Sequence, residues 1–153
     1  MSWADSDIII QQCNEQVRIE VKASAVWQSW KLVNEDGSAK AVEGPLILHA
    51  DRIRFGGLKA RSGNQWKGER VFKSNFYIFC MQKQTDPKSW DAWDLSQWEF
   101  FMHGRAELEE HNIGDSISLS ALRKLRGGAG MSAREFQEHA KLHLGLRTSA
   151  AIP

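Results

Sequence analysis

The segment QVRIEVKAS, residues 16–24, decides how this chain is read. Val17, Ile19, Val21 and Ala23 alternate with Arg18, Glu20 and Lys22. Strict alternation with period two is the pattern of a strand that buries one face. The other face then sets Glu20 and Lys22 side by side, about 7 Å apart at roughly 3.3 Å rise per residue. Two readings compete. One is a polar, solvent-facing strand surface. The other is a metal-dependent active site.

The preceding residues bear on the choice. DIIIQ at 7–11 reads as a strand and QCNEQ at 12–16 as a turn, so the two strands form a hairpin. If Ile10 pairs with Val17, Asp7 lies directly opposite Glu20. Opposed side chains have Cβ atoms about 4.5 to 5.5 Å apart, and two carboxylates that close repel. A divalent cation offsets that repulsion, because Mg²⁺ takes hard oxygen ligands, often one or two carboxylates with waters and phosphate oxygens. Lys22 alongside suits the stabilisation of charge developing on a phosphate. A slip of one residue in register would send Asp7 to the other face and remove the site.

Further along, SAVWQSW at 24–30 reads as a bend into a short helix, and NEDGSAKAVEGP at 34–45 as a loop. LILHADRIRF at 46–55 reads as a strand or short helix. NFYIFCMQ at 75–82 is nearly all apolar, which predicts a central strand covered on both faces. TDPKSWDAWDLS at 85–96 reads as a loop, QWEFFMH at 97–103 as a buried strand and GRAELEEH at 104–111 as a short helix. In SISLSALRKL, Ser118 or Ser120 can cap a helix that Gly127 and Gly128 stop. Ser132 and Glu135 have the spacing of a capping box, and Phe136, Ala140 and Leu144 then form an apolar stripe closed by Gly145. The pattern predicts one mixed α/β domain over residues 1–145, with a tail at 146–153.

Composition agrees with a globular domain. Of 153 residues, 42% are hydrophobic and 25% charged, so a real core can form. No run approaches the roughly 18 apolar residues of a membrane span, and MSWADSDIII lacks the features of a signal peptide. Cys13 and Cys80 form no motif. A reduced, cytoplasmic protein without a membrane partner is expected. The net charge of +1 hides an uneven distribution. From Arg52 to Lys73 there are seven basic residues against Glu69, and from Asp86 to Asp115 eight acidic against two basic. The basic stretch, with FGGLKARSGNQWKG inside it, is a candidate for contact with a polyanion.

Asp7 followed by Glu20-Val21-Lys22 resembles the PD-(D/E)xK nuclease superfamily, which has the restriction-endonuclease-like fold. RIEVKASAVWQSW, FYIFCMQKQTDPKSWDAWDLSQWEFFMH and SISLSALRKL are similar to one bacterial branch of it with an IEVKxSAxxQSW motif. The similarity runs from about Asp7 to Leu125. It implies a mixed β-sheet flanked by helices and hydrolysis of DNA phosphodiester bonds with Mg²⁺ or Mn²⁺. Asp7, Glu20 and the carbonyl of Val21 would be metal ligands, Lys22 the catalytic lysine, and Gln28 a further catalytic candidate. Two features depart from the family. ADSDI stands where the motif proline is expected, and the six residues before Asp7 are too few for the usual N-terminal core helix, which is expected to be missing, supplied by a partner or encoded further upstream. A non-catalytic module on the same fold, binding nucleic acid or protein, is the alternative, and a homodimer could supply the missing helix.

Arg52, Arg54, Lys59, Arg61, Trp66, Lys67 and Arg70 are the expected nucleic-acid-binding residues, with Trp66 placed to stack on a base. Trp98 is expected in the core, and Trp90 and Trp93 are expected to pin their loop. His49, His103, His111, His139 and His143 show no metal-ligand spacing. His139 and His143, one turn apart on the last helix, read as surface.

Overall fold

The computed structural model describes residues 6–12, 14–28, 46–47, 52–61 and 68–145. The N-terminal hairpin forms with the expected register. β1 (Ile8–Gln12) runs antiparallel to β2 (Glu15–Ala25), and Ile10 faces Val17. β2 is not an edge. On its far side it pairs in parallel with β8 (Phe76–Gln82), and β8 pairs antiparallel with β9 (Trp98–Gly104). The four-stranded mixed sheet therefore has the order β1-β2-β8-β9.

Between β2 and β8 the chain makes three small ribbons. β3 (Trp27–Gln28) pairs with β4 (Leu46–Ile47), and β6 (Lys59–Arg61) with β7 (Arg70–Phe72). β5 (Arg54–Phe55) pairs with the later β10 (Ile117–Ser118). The short helix expected after residue 24 is replaced by strand. β2 continues in the parallel ladder to Ala25, and the Val26 N–H donates to the Gln82 carbonyl at 2.9 Å. The β-branched and aromatic residues Val26 and Trp27 suit that extended path. The loop expected at 34–45 and the tail at 146–153 lie outside the described residues.

Two cores cover the sheet, one on each face. Tyr77, Phe79, Met81 and Phe101 point to one side, where they pack with Ile53, Phe55, Leu58, Leu108, Ile117, Leu119 and Leu122. Ile19, Ile78 and Met102 point to the other, against Met131, Leu144, Phe136 and Ala140. This explains why β8 reads as a continuous apolar run: it is covered on both faces. Each fully buried side chain of this size contributes roughly 1.5 to 3 kcal/mol.

The helices obey their local signals. α1 (Arg105–Glu110) follows β9 directly. α2 (Leu119–Arg126) is capped by the Ser118 hydroxyl on the Ala121 N–H and ends at Gly127 with φ of 80°. A left-handed residue there favours glycine. α3 (Ala133–Leu144) begins with the full Ser132–Glu135 capping box, and its Phe136, Ala140 and Leu144 stripe faces the second core. Among the described residues, no helix is long and apolar enough to cross a membrane.

The loop from Lys83 to Gln97 is held by polar groups rather than by its tryptophans. Trp93 is 90% exposed and Trp90 39%. The contacts come from Asp86 to Ser89, Asp94 to Ser96, and Gln97, which reaches Gln82, Ser89 and the Asp91 N–H. Trp98 is half-buried, with its indole N–H on the Ala92 carbonyl and its ring stacked on Phe100.

Candidate functional site

The site is built where the hairpin meets the parallel ladder. Val17, Ile19 and Val21 belong to the second core, so Arg18, Glu20 and Lys22 point to the opposite face. That face is the one carrying Tyr77 and Phe79, the parallel partners of Glu20 and Lys22. The charged pair is thus set into the rim of a core rather than on an open surface. The Lys22 and Glu20 side chains are only 23% and 20% exposed, and Lys22 Nζ lies 2.6 Å from Glu20 Oε1.

Asp7 begins the hairpin. It stands one residue before the Ile8–Ile19 pair that ends the ladder, and its Oδ2 accepts the Val21 N–H at 2.8 Å. One residue earlier, the Ser6 hydroxyl is buried against the Ser74 hydroxyl at 2.8 Å. Ser74 sits in the turn before β8, where the N–H groups of Ser74 and Lys73 both donate to the Tyr77 hydroxyl. Asn75 closes the same junction by exchanging backbone and side-chain bonds with Arg18. Burial raises the pKa of the Tyr77 hydroxyl, and the nearby Glu20 charge adds to this, so the phenol stays neutral and accepts these bonds. Ser6, Ser74 and Tyr77 therefore fix where Asp7 starts. Nothing in the spacing of these residues marked them, because the contact joins positions 68 apart.

The loop after β5 closes over Lys22. Gly57 has φ of 67°, and a Cβ built on it would lie 3.6 Å from Lys22 Nζ. Phe55 and Leu58, on either side of the glycine pair, are buried in the first core. The Gly56-Gly57 turn thus carries the start of the basic stretch to the lysine.

The basic residues divide. Arg52, Arg54 and Arg61 are exposed, and Arg54 donates to the Ser116 hydroxyl. Lys59 lies over the Phe72 ring, 4.7 Å from its centroid. Arg70 pairs with Asp115 at 3.1 Å and donates to the Lys59 carbonyl. Asp115 also accepts the Lys59 N–H. The acidic segment therefore meets the basic one at Asp115, and part of the uneven charge is used internally. Trp66 and Lys67, and the side chain of Gln28, lie outside the described residues.

The arrangement can hold a hard cation. Asp7, Glu20 and the Val21 carbonyl are oxygen donors, the set that suits Mg²⁺. Among the described residues no three or more His, Cys, Asp or Glu side chains gather as metal ligands. The carboxylate repulsion also has an internal answer, since Lys22 neutralises Glu20 and the Val21 N–H holds Asp7.

Comparison with protein-family models, curated proteins and solved structures returned no match to this chain.

Proposed function

We propose that this protein is a Mg²⁺-dependent nuclease that hydrolyses DNA phosphodiester bonds on a restriction-endonuclease-like sheet. The observation that supports this reading is that Asp7 Oδ2 accepts the Val21 N–H, between Glu20 and Lys22, whose Nζ lies 2.6 Å from Glu20. Asp7, Glu20 and the Val21 carbonyl would hold the ion. Bound there, Mg²⁺ would supply a Lewis acid and a water of lowered pKa. Lys22 would place a positive charge beside the phosphate and orient the attacking water. The partly buried setting strengthens those charges relative to open water. Arg52, Arg54 and Arg61 are exposed cations on the same stretch that closes over Lys22, and they would contact backbone phosphates.

The test is cleavage of single-stranded, duplex and branched DNA with and without Mg²⁺. Glu20→Ala and Lys22→Ala should each abolish Mg²⁺-dependent cleavage. Retained activity in either variant would sink the site assignment.

A second reading rests on a specific observation. The Glu20–Lys22 pair is closed, so the two groups satisfy each other without an ion. On that reading the protein is a non-catalytic module that binds nucleic acid through Arg52, Arg54 and Arg61. Salt-dependent DNA binding without cleavage in any metal would favour it.

A further inference from the structure

β9 is the last strand of the sheet, and a cleft of about 420 Å³ opens beside its end. It lies among α1, the end of α2 and α3, and shares no residue with Asp7, Glu20 or Lys22. His103, Arg126, His139 and His143 line it, with Glu107 as their one acidic neighbour in the lining. These residues come from four separate elements, so only the tertiary fold brings them together.

His103 lines the cleft but is only 5% exposed, and both of its ring nitrogens are sealed from it. Its Nδ1 comes within 2.9 Å of Glu107 Oε2 but without hydrogen-bond alignment. The His139 and His143 rings stand 4.1 Å apart, centroid to centroid. Both would repel when protonated, unless an anion lay between or beside them.

The charge balance selects the sign of that group. Arg126, His139 and His143 face a single carboxylate, Glu107, so the lining offers more groups to an anion than to a cation. A metal cation fits poorly: a guanidinium lines the same space, and no metal-ligand group of three forms among the described residues. The size is that of a small-molecule site rather than a bare ion. Phe76, Met102 and Met131 supply an apolar wall for the remainder of such a molecule.

We propose that this cleft binds a phosphate monoester, its phosphoryl oxygens on Arg126, His139 and His143, and its organic part on the apolar wall. Burial first, and then the charges of His143, Arg126 and His103, hold the His139 pKa below the usual imidazole value, while Glu107 acts the other way. A bound phosphate dianion acts against the neighbouring positive charges and favours the protonated ring, so binding takes up protons. Phosphate itself gains a proton near pH 6, so affinity should peak around that pH and fall toward pH 8.

The test uses adenosine monophosphate as the probe, titrated into the full chain by calorimetry and followed by imidazole proton resonances. The expected result is binding at pH 6 with shifts of the histidine resonances, and affinity about tenfold lower at pH 8. Arg126→Gln and His143→Gln, both at exposed positions, should each weaken binding roughly tenfold. Glu20→Ala should leave it unchanged, whether or not that variant loses DNA cleavage. Any of four results would overturn the proposal: no binding, binding independent of pH and of Arg126, equal binding of adenosine without its phosphate, or loss of binding in Glu20→Ala. Tight Zn²⁺ binding that involves His139 and His143 would overturn it as well.

Discussion

Asp7 Oδ2 accepts the backbone N–H of Val21 at 2.8 Å, which ties the first residue of the hairpin to the middle of the Glu20-Val21-Lys22 triplet. This bond gives Asp7 a structural task beside its proposed metal-binding one, and the two can be separated. Asp7→Asn keeps a carbonyl oxygen for the Val21 N–H but loses the charge. It should leave stability within about 0.5 kcal/mol of the parent while removing Mg²⁺-dependent cleavage. Asp7→Ala should lose cleavage and about 1 kcal/mol of stability. Urea unfolding beside the cleavage assay reads both. Equal destabilisation by the two variants would assign the residue a purely structural role.

Gly57 and Gly56 are adjacent but differ in what they require. Gly57 has φ of 67° beside Lys22, whereas a Cβ at Gly56 would meet nothing within 4 Å. Gly57→Ala should cost about 1 kcal/mol through its left-handed backbone, and Gly56→Ala close to nothing. Denaturant midpoints at constant slope would show the contrast. Matching midpoints would mean that the turn relaxes freely.

Glu99 is buried, with its carboxylate held by the Arg123 guanidinium through both oxygens and by the Gly130 N–H. Burial acts to raise its pKa, but the Arg123 and Gly130 bonds and the charges of Arg123 and Lys83 outweigh it, and the net shift is downward. A depressed carboxylate contributes stability that is present above its unfolded pKa and is lost as pH falls through the folded one. Stability should therefore drop below about pH 4.5, the ordinary Glu value, and Glu99→Gln should flatten that part of the profile. Arg123→Met, which strands the buried charge, should cost roughly 2 to 3 kcal/mol at pH 7. Chemical unfolding across pH 3 to 8 measures both, and a Glu99→Gln profile parallel to the parent's would refute the linkage.

Cys80 lies in β8 with its thiol pushed up to about 11 by burial. In a Cys13→Ser background, a thiol reagent should label the folded protein slowly at pH 8 and rapidly once urea unfolds it. Fast labelling of the folded state would show that the β8 face opens readily.

Much of this fold was legible because its signals are local. Alternation over residues 17–23, the apolar run at 76–82 and the Ser132–Glu135 spacing each report on a segment's own backbone and burial. The Ile10–Val17 register was legible for the same reason, since a tight hairpin ties pairing to a short turn and to which residues must face inward. The helix read after Ser24 failed because the parallel ladder with β8, formed from residues some 55 positions away in sequence, extends the strand to Ala25.

By itself, then, the sequence determined the four strands of the main sheet, the helix caps and the candidate triad of Asp7, Glu20 and Lys22. Only the tertiary structure decided that the Glu20–Lys22 pair sits at the rim of a core, that Ser6, Ser74 and Tyr77 anchor Asp7, and that Gly57 closes over Lys22. It alone gathered His103, Arg126, His139 and His143 around one cleft. The physical reason is common to all of these: each depends on side chains that meet across the sheet or between packed elements, and no periodicity records such a contact.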